Sequence, residues 1–343
     1  MRYLLLLLLI GSGATSLVYE TLWIRVLSLG VGSTSASMSI VLSIFFLGLA
    51  GGSFLSGRFS GRFKNPVLVY GLIEGAIGLY CAGLIYPLIH FHQLLSLLPN
   101  AFSFLGIVSK FTLVALLLLP PTLGMGATLP LLIRSFAFHG KTTSQSVSLL
   151  YGLNTLGGVV GALATSFILI PKWGVLLSNH SVVVTNILIL ISSILVSRRM
   201  KEADAPPGPS GVSTTPCHLG VWERAMLTSC GICGFVSIAC EVVWNKYLAI
   251  FFGTNIYGLG IILAIYLLGM ALGSLLLSIF TGRIRDPKTL FIILLSFSLL
   301  FIYAASHFLN LAPPASQLVS YFLGQGVSLL LIKSVLTLSL MHI

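Results

Sequence analysis

Apolar residues run through this chain in stretches of about twenty or more, separated by short breaks rich in glycine, proline and basic residues. No stretch alternates with a period of two, so the runs predict membrane-crossing helices rather than barrel strands. Ten spans are predicted, at about 4–30, 34–57, 66–89, 104–134, 148–170, 174–197, 221–251, 255–279, 288–308 and 314–341. The fourth is long for one straight crossing. It carries Pro120-Pro121, Gly124, Gly126 and Pro130, which predict a kink, or a break of the kind that lines a cavity. Pro171-Lys-Trp-Gly174 reads as the turn between spans five and six, and the polar, Pro/Gly-rich residues 198–220 as a cytoplasmic linker.

Composition supports this reading. Hydrophobic residues make up 57% of the 343 positions and charged residues only 7%, against roughly 25% charged in soluble domains. The net charge of +11 is unevenly placed. Of 18 Lys and Arg, 13 fall on one predicted side: Arg2, Arg58, Arg62, Lys64, Arg134, Lys141, Arg198, Arg199, Lys201, Arg224, Arg283, Arg285 and Lys288. Such asymmetry predicts an inner (cell) membrane protein whose N-terminus and linker face the cytoplasm. The expected partner of this charge is the lipid bilayer. No basic cluster is interleaved with exposed aromatics, so nucleic acid is not an expected partner. Residues 1–16 have the make-up of a signal peptide, yet their counterpart near Ala225 is internal, so they are expected to remain as the first span.

That counterpart belongs to a repeat. Residues 13–66 and 234–287 align without a gap at an offset of 221, with 19 identities in 54 positions. The identities include Glu20/Glu241, Trp23/Trp244, Gly48/Gly269, Gly52/Gly273, Arg62/Arg283 and Pro66/Pro287, and Arg25 is matched by Lys246. Shared hydrophobicity cannot place glycine, tryptophan and glutamate at one constant offset, so the chain reads as a duplicated unit. Six spans separate the two starts, which predicts parallel repeats: 1–197 as the first, 221–343 as a second that is incomplete, with about four helices.

Four stretches carry a family resemblance: Leu17-Val-Tyr-Glu-Thr-Leu-Trp-Ile-Arg25, Phe46-Leu-Gly-Leu-Ala-Gly-Gly-Ser53, Gly124-Met-Gly-Ala-Thr-Leu-Pro130 and Leu150-Tyr-Gly-Leu-Asn-Thr-Leu-Gly-Gly158. They resemble the membrane half of fused major-facilitator/spermidine synthase-like proteins. The loop from Gly52 to Lys64, with Arg58, Arg62 and Lys64 and its partner at Arg283 and Arg285, is similar to the loop between spans two and three of major facilitator transporters, without their acidic residue near Gly57. The resemblance implies an all-α, major-facilitator-like bundle. It also implies a partner, a soluble aminopropyltransferase-like domain or protein. No part of the chain has that domain's glycine-rich loop after a strand or its acidic cluster, so no catalytic residue, cofactor or metal is assigned, and the expectation leans away from an enzyme.

The candidate site residues are the charges that fall inside spans. A carboxylate in hydrocarbon is costly unless partnered. Glu20 and Trp23 share a helix face, whereas Arg25 is about 140° round from Glu20. Three readings stand: structural ion pairs exchanged between the repeats (Glu20 with Lys246, Glu241 with Arg25), a substrate or proton site, or interfacial anchoring by the tryptophans and cations. Glu74, about 12 Å into the third span, has no counterpart, because position 295 is Leu. It is expected either to carry a proton or cation or to hydrogen-bond a neighbouring helix. Asn154 is expected to bond across helices, and Gly48, Gly52, Gly269 and Gly273 to bring helix backbones together. Three functions remain open at this point: a membrane scaffold for, or transporter coupled to, polyamine chemistry; a major-facilitator-type transporter of amines or other small molecules; or a truncated product without function.

Overall fold

A computed structural model describes residues 2–31, 34–96, 104–136, 143–199, 220–252, 256–280, 286 and 288–304. All the regular structure in them is helical. The long helices are α1 (Arg2–Val31), α2 (Thr34–Phe59), α3 (Pro66–Ile89), α5 (Phe104–Phe136), α6 (Thr143–Ala164), α7 (Ile170–Arg199), α8 (Val221–Phe252) and α9 (Ile256–Phe280). A short α4 (Phe91–Ser96) follows α3, and a last described helix, α10, covers Lys288–Ala304. Among the described residues, seven helical stretches have the length and apolar composition to cross a membrane. The tenth predicted span, 314–341, lies outside the described residues, as do Arg283 and Arg285.

One of the seven, Ser144–Arg199, is 56 residues, about 84 Å if straight, against a hydrocarbon core of about 30 Å. It is two spans joined through a π-helical turn (Thr165–Leu169) and a kink at Gly174, whose φ of 68° is open to glycine and strained for other residues. The predicted turn at Pro171–Gly174 is thus a sharp bend within nearly continuous helix. The fourth predicted span is also less interrupted than expected. α5 is helical through Pro120, Pro121 and Pro130.

Neighbouring hydroxyls explain how it survives them. Pro130 has no N–H for the carbonyl of Gly126, and Ser53 Oγ on α2 donates to that oxygen at 2.8 Å. Pro121 likewise frees the carbonyl of Leu117, which the Tyr80 hydroxyl on α3 reaches at 3.1 Å. Ser56 Oγ adds a bond to the Ala127 carbonyl at 2.9 Å.

Close backbone approach fixes helix directions. A Cβ on Gly48 would strike Thr122, and one on Gly52 the Leu123 carbonyl, so α2 and α5 run parallel in contact. Gly157 and Gly161 of α6 abut the carbonyls of Ile10 and Ala14, which makes α1 and α6 parallel as well. Gly71 and Gly78 meet Ser193 and Asn186, so α3 and α7 are antiparallel. Gly152 and Gly260 place α9 antiparallel to α6. α8 folds back on α9, because Tyr266 and Ser237, 29 residues apart, hydrogen-bond at 3.4 Å. α1 and α8 therefore point the same way. The glycines of α9 behave less uniformly than their partners in α2, since a methyl placed on Gly273 would meet nothing within 4 Å among the described residues.

The basic residues of the turns collect at one end. Asn65 Nδ2 donates to Ser197 Oγ at 2.7 Å, tying the start of α3 to the end of α7 beside Arg198 and Arg199. Arg134 reaches the Gly61 carbonyl at 3.4 Å, and Arg62 stacks on Phe59. Asn65 caps α3 by accepting from the Leu68 amide at 3.2 Å. Its repeat partner Asp286 accepts from the Lys288 amide at 3.0 Å and from the Thr289 hydroxyl.

Gly126→Ala puts a methyl against the Leu49 backbone and should destabilise the purified chain by about 1–3 kcal/mol, whereas Gly57→Ala, with open space around it, should be neutral or slightly stabilising in the same thermal unfolding assay. Asp286 is fully exposed, and the Thr289 hydroxyl, followed by the Lys288 amide, holds its carboxyl below the usual carboxylate range. A lowered folded pKa contributes stability that is present above the unfolded value, about 3.9, and is lost as pH falls through the folded one. The small stability difference between wild type and Asp286→Asn should accordingly be present at pH 6 and shrink below about pH 4.

Candidate functional site

The interior of the bundle carries more polar side chains than its apolar sequence suggests. Glu74 is buried on α3 and accepts a hydrogen bond from Ser12 Oγ on α1. Tyr70, one turn earlier, donates to the Leu8 carbonyl at 3.0 Å. Of the two readings of Glu74, the hydrogen bond to a neighbouring helix is present. Nothing in the sequence pattern pointed to its partner, since Ser12 lies 62 residues away in an ordinary small-residue run.

Glu20 and Glu241 are each only 2% exposed. They come from matching positions of α1 and α8, and their carboxyls lie within electrostatic range of one another. The ion pairs expected between the repeats do not form. Arg25 and Lys246 are exposed, and among the described residues neither contacts a carboxylate. The reason is the helical phase already visible in the sequence: a cation five residues after an inward-facing glutamate points away from it. Trp23 does not serve as an interfacial anchor either. It is 1% exposed and stacks on Tyr19 with ring centroids 5.8 Å apart, inside a cluster with Leu27, Phe45, Ile77 and Ile85. Trp244, its partner, is half-buried.

Among the described side chains of α8 only Glu241 and Asn245 are buried, one turn apart. The Asn245 amide donates to the Glu241 carbonyl at 3.1 Å, while its Oδ1, like Glu20 Oε1 and Glu241 Oε2, has no hydrogen-bond partner among the described residues. Tyr266 on α9 and Tyr151 on α6 approach the same region, and Tyr266 gives its hydroxyl proton to the Ser237 carbonyl. Sequence reasoning missed Asn245, although it sits inside the repeated motif between Trp244 and Lys246. Its counterpart is Ile24, so comparison of the repeats masked it.

A second polar seam joins α3 and α7. Asn179 donates to the Cys81 carbonyl at 3.0 Å, and Asn186 and Ser193 face Gly78 and Gly71. Asn154, by contrast, makes no hydrogen bond to a neighbouring helix among the described residues; its carbonyl instead packs against Gly13. Arg58, Arg62 and Lys64 are exposed at the basic end, away from the buried carboxyls. Gly269 falls within α9.

Compared with protein-family models, curated proteins and solved structures, the chain gives no match.

The Ser12–Glu74 bond is open to direct measurement. Ser12→Ala should lower stability by about 0.5–2 kcal/mol, and Glu74→Gln, whose amide oxygen still accepts from Ser12, should lose less than Glu74→Leu. Thermal unfolding in detergent reads both comparisons.

Proposed function

We propose that this chain is a major-facilitator-like membrane module of about ten spans, built from two parallel repeats. It would lie in the cell (inner) membrane with its basic end toward the cytoplasm. In this reading it forms the membrane side of polyamine or aminopropyl chemistry, as its resemblance to the transmembrane half of spermidine synthase-like proteins implies. A soluble aminopropyltransferase-like partner would supply the catalysis.

Between scaffolding and transport, one observation favours transport of a small cationic solute. The two repeats bring their shared carboxylates, Glu20 and Glu241, together in the interior, with the nearby cations turned away. A purely structural module gains nothing from two buried carboxyls within electrostatic range of each other, because their burial is costly and each disfavours ionisation of the other. Facing helices of related repeats are where membrane transporters place substrate sites.

The test is uptake of radiolabelled putrescine into proteoliposomes containing the purified chain. Saturable uptake that the Glu20→Gln/Glu241→Gln double variant lowers at least tenfold is the expected result. Uptake no greater than that of empty liposomes, from folded protein, would defeat the transport reading. Co-purification with a soluble aminopropyltransferase would then favour the scaffold. A chain that never yields a monodisperse species would favour the truncated product.

A further inference from the structure

We propose that Glu20, Glu241 and Asn245 form a binding site for one compact cation, either an alkali metal ion or a primary ammonium group. The inference rests on the placement of the carboxyl pair used above, but not on transport. Three oxygens are left without a hydrogen-bond partner among the described residues: Glu20 Oε1 on α1, and, one turn apart on α8, Glu241 Oε2, whose carboxyl lies within electrostatic range of Glu20, and Asn245 Oδ1. All three belong to residues at least 96% buried. Two donors beside them are already used, since the Asn245 amide bonds the Glu241 carbonyl and the Tyr266 hydroxyl bonds the Ser237 carbonyl.

Three buried acceptor oxygens, two of them from carboxyls, select against anions. A primary ammonium presents three N–H donors, one for each oxygen. An alkali ion satisfies the same lone pairs by coordination. A calcium ion would need six to eight oxygens, and magnesium holds an octahedral shell, so neither is served by three ligands in a buried setting.

The position also gives the site a structural consequence. Glu241 and Asn245 are the only buried described side chains of α8, so the inward face of this helix is the one that carries the unpartnered oxygens. A cation bound there bridges α1 and α8, and thereby the two repeats.

The experiment is thermal unfolding of the full chain in detergent, at constant ionic strength, in NaCl, KCl, methylammonium chloride or tetramethylammonium chloride. The unfolding midpoint is expected to climb with the logarithm of at least one of the first three cations, as ligand linkage requires, and not with tetramethylammonium, which has no N–H and is too large to coordinate. A response to methylammonium alone identifies the ammonium form, and a response to sodium or potassium the alkali form. Glu20→Gln and Asn245→Ala should each abolish the dependence, while Arg25→Ala leaves it intact. A wild-type midpoint that is indifferent to which of the four cations is present would overturn the proposal without recourse to any variant. So would an ion response that survives in Glu20→Gln and Asn245→Ala. Cation binding in a chain that moves no putrescine would leave this site standing and remove the transport reading; putrescine uptake without any ion-specific midpoint would do the reverse.

Discussion

Backbone hydrogen bonding in hydrocarbon is the constraint on which this bundle depends. No water is available there to pair a carbonyl that has lost its N–H, so each helix interruption must be answered by a neighbour. α5 contains three prolines and still runs from Phe104 to Phe136, and α2 and α3 supply hydroxyls to two of the three carbonyls that those prolines free. The answering residues sit on helices that glycine has already brought close. Gly48, Gly52 and Gly126 let α2 and α5 touch backbone to backbone, and only at that spacing can the short Ser53 side chain reach across. Small residues and lone hydroxyls are thus one device, the first setting the distance and the second using it.

The same constraint orders the side chains. Serines and threonines that face lipid or a tight interface return their protons to carbonyls three or four residues back on their own helix, as Thr21, Thr155 and Thr165 do. Longer polar groups need partners on other helices. Glu74 obtains Ser12, and Asn65 obtains both Leu68 and Ser197. Not every buried polar group is paired in this way: the amide of Asn186 and the hydroxyl of Ser193 on α7 lack a partner among the described residues, as do Glu20 Oε1, Glu241 Oε2 and Asn245 Oδ1, and of these only the last three include carboxylates.

Much of the fold was legible because apolar run length and proline position are strong signals. The start of α3 at Pro66 and the ends of α1 and α2 follow from them to within a few residues. The duplication was legible through glycine, tryptophan and glutamate at a fixed offset, and the burial of Glu20, Trp23 and Glu241 follows from their shared face. Partners were not legible. The expected Glu20–Lys246 and Glu241–Arg25 pairs read opposite charge as sufficient, whereas helical phase sends the cations outward. The polar seam of Asn179, Asn186 and Ser193 on α7 was missed because its residues are seven apart in a run rich in apolar neighbours, and only the glycines of α3 reveal what they face. The continuity of α5 was not legible because its prolines were read alone, without the serine and tyrosine elsewhere in the chain that pair two of the freed carbonyls.

Ser53 and Ser274 occupy the same place in the repeat, yet they have diverged in use. Ser53 closes a gap in α5, within its own half, whereas Ser274 donates at 2.7 Å to the Ser148 carbonyl of α6, in the other half. One of two matched serines repairs a helix and the other fastens α9 to α6. Loss of Ser53 would leave the carbonyl opposite Pro130 unpaired, whereas loss of Ser274 would loosen α9 from α6, so equal positions in the sequence answer to different neighbours.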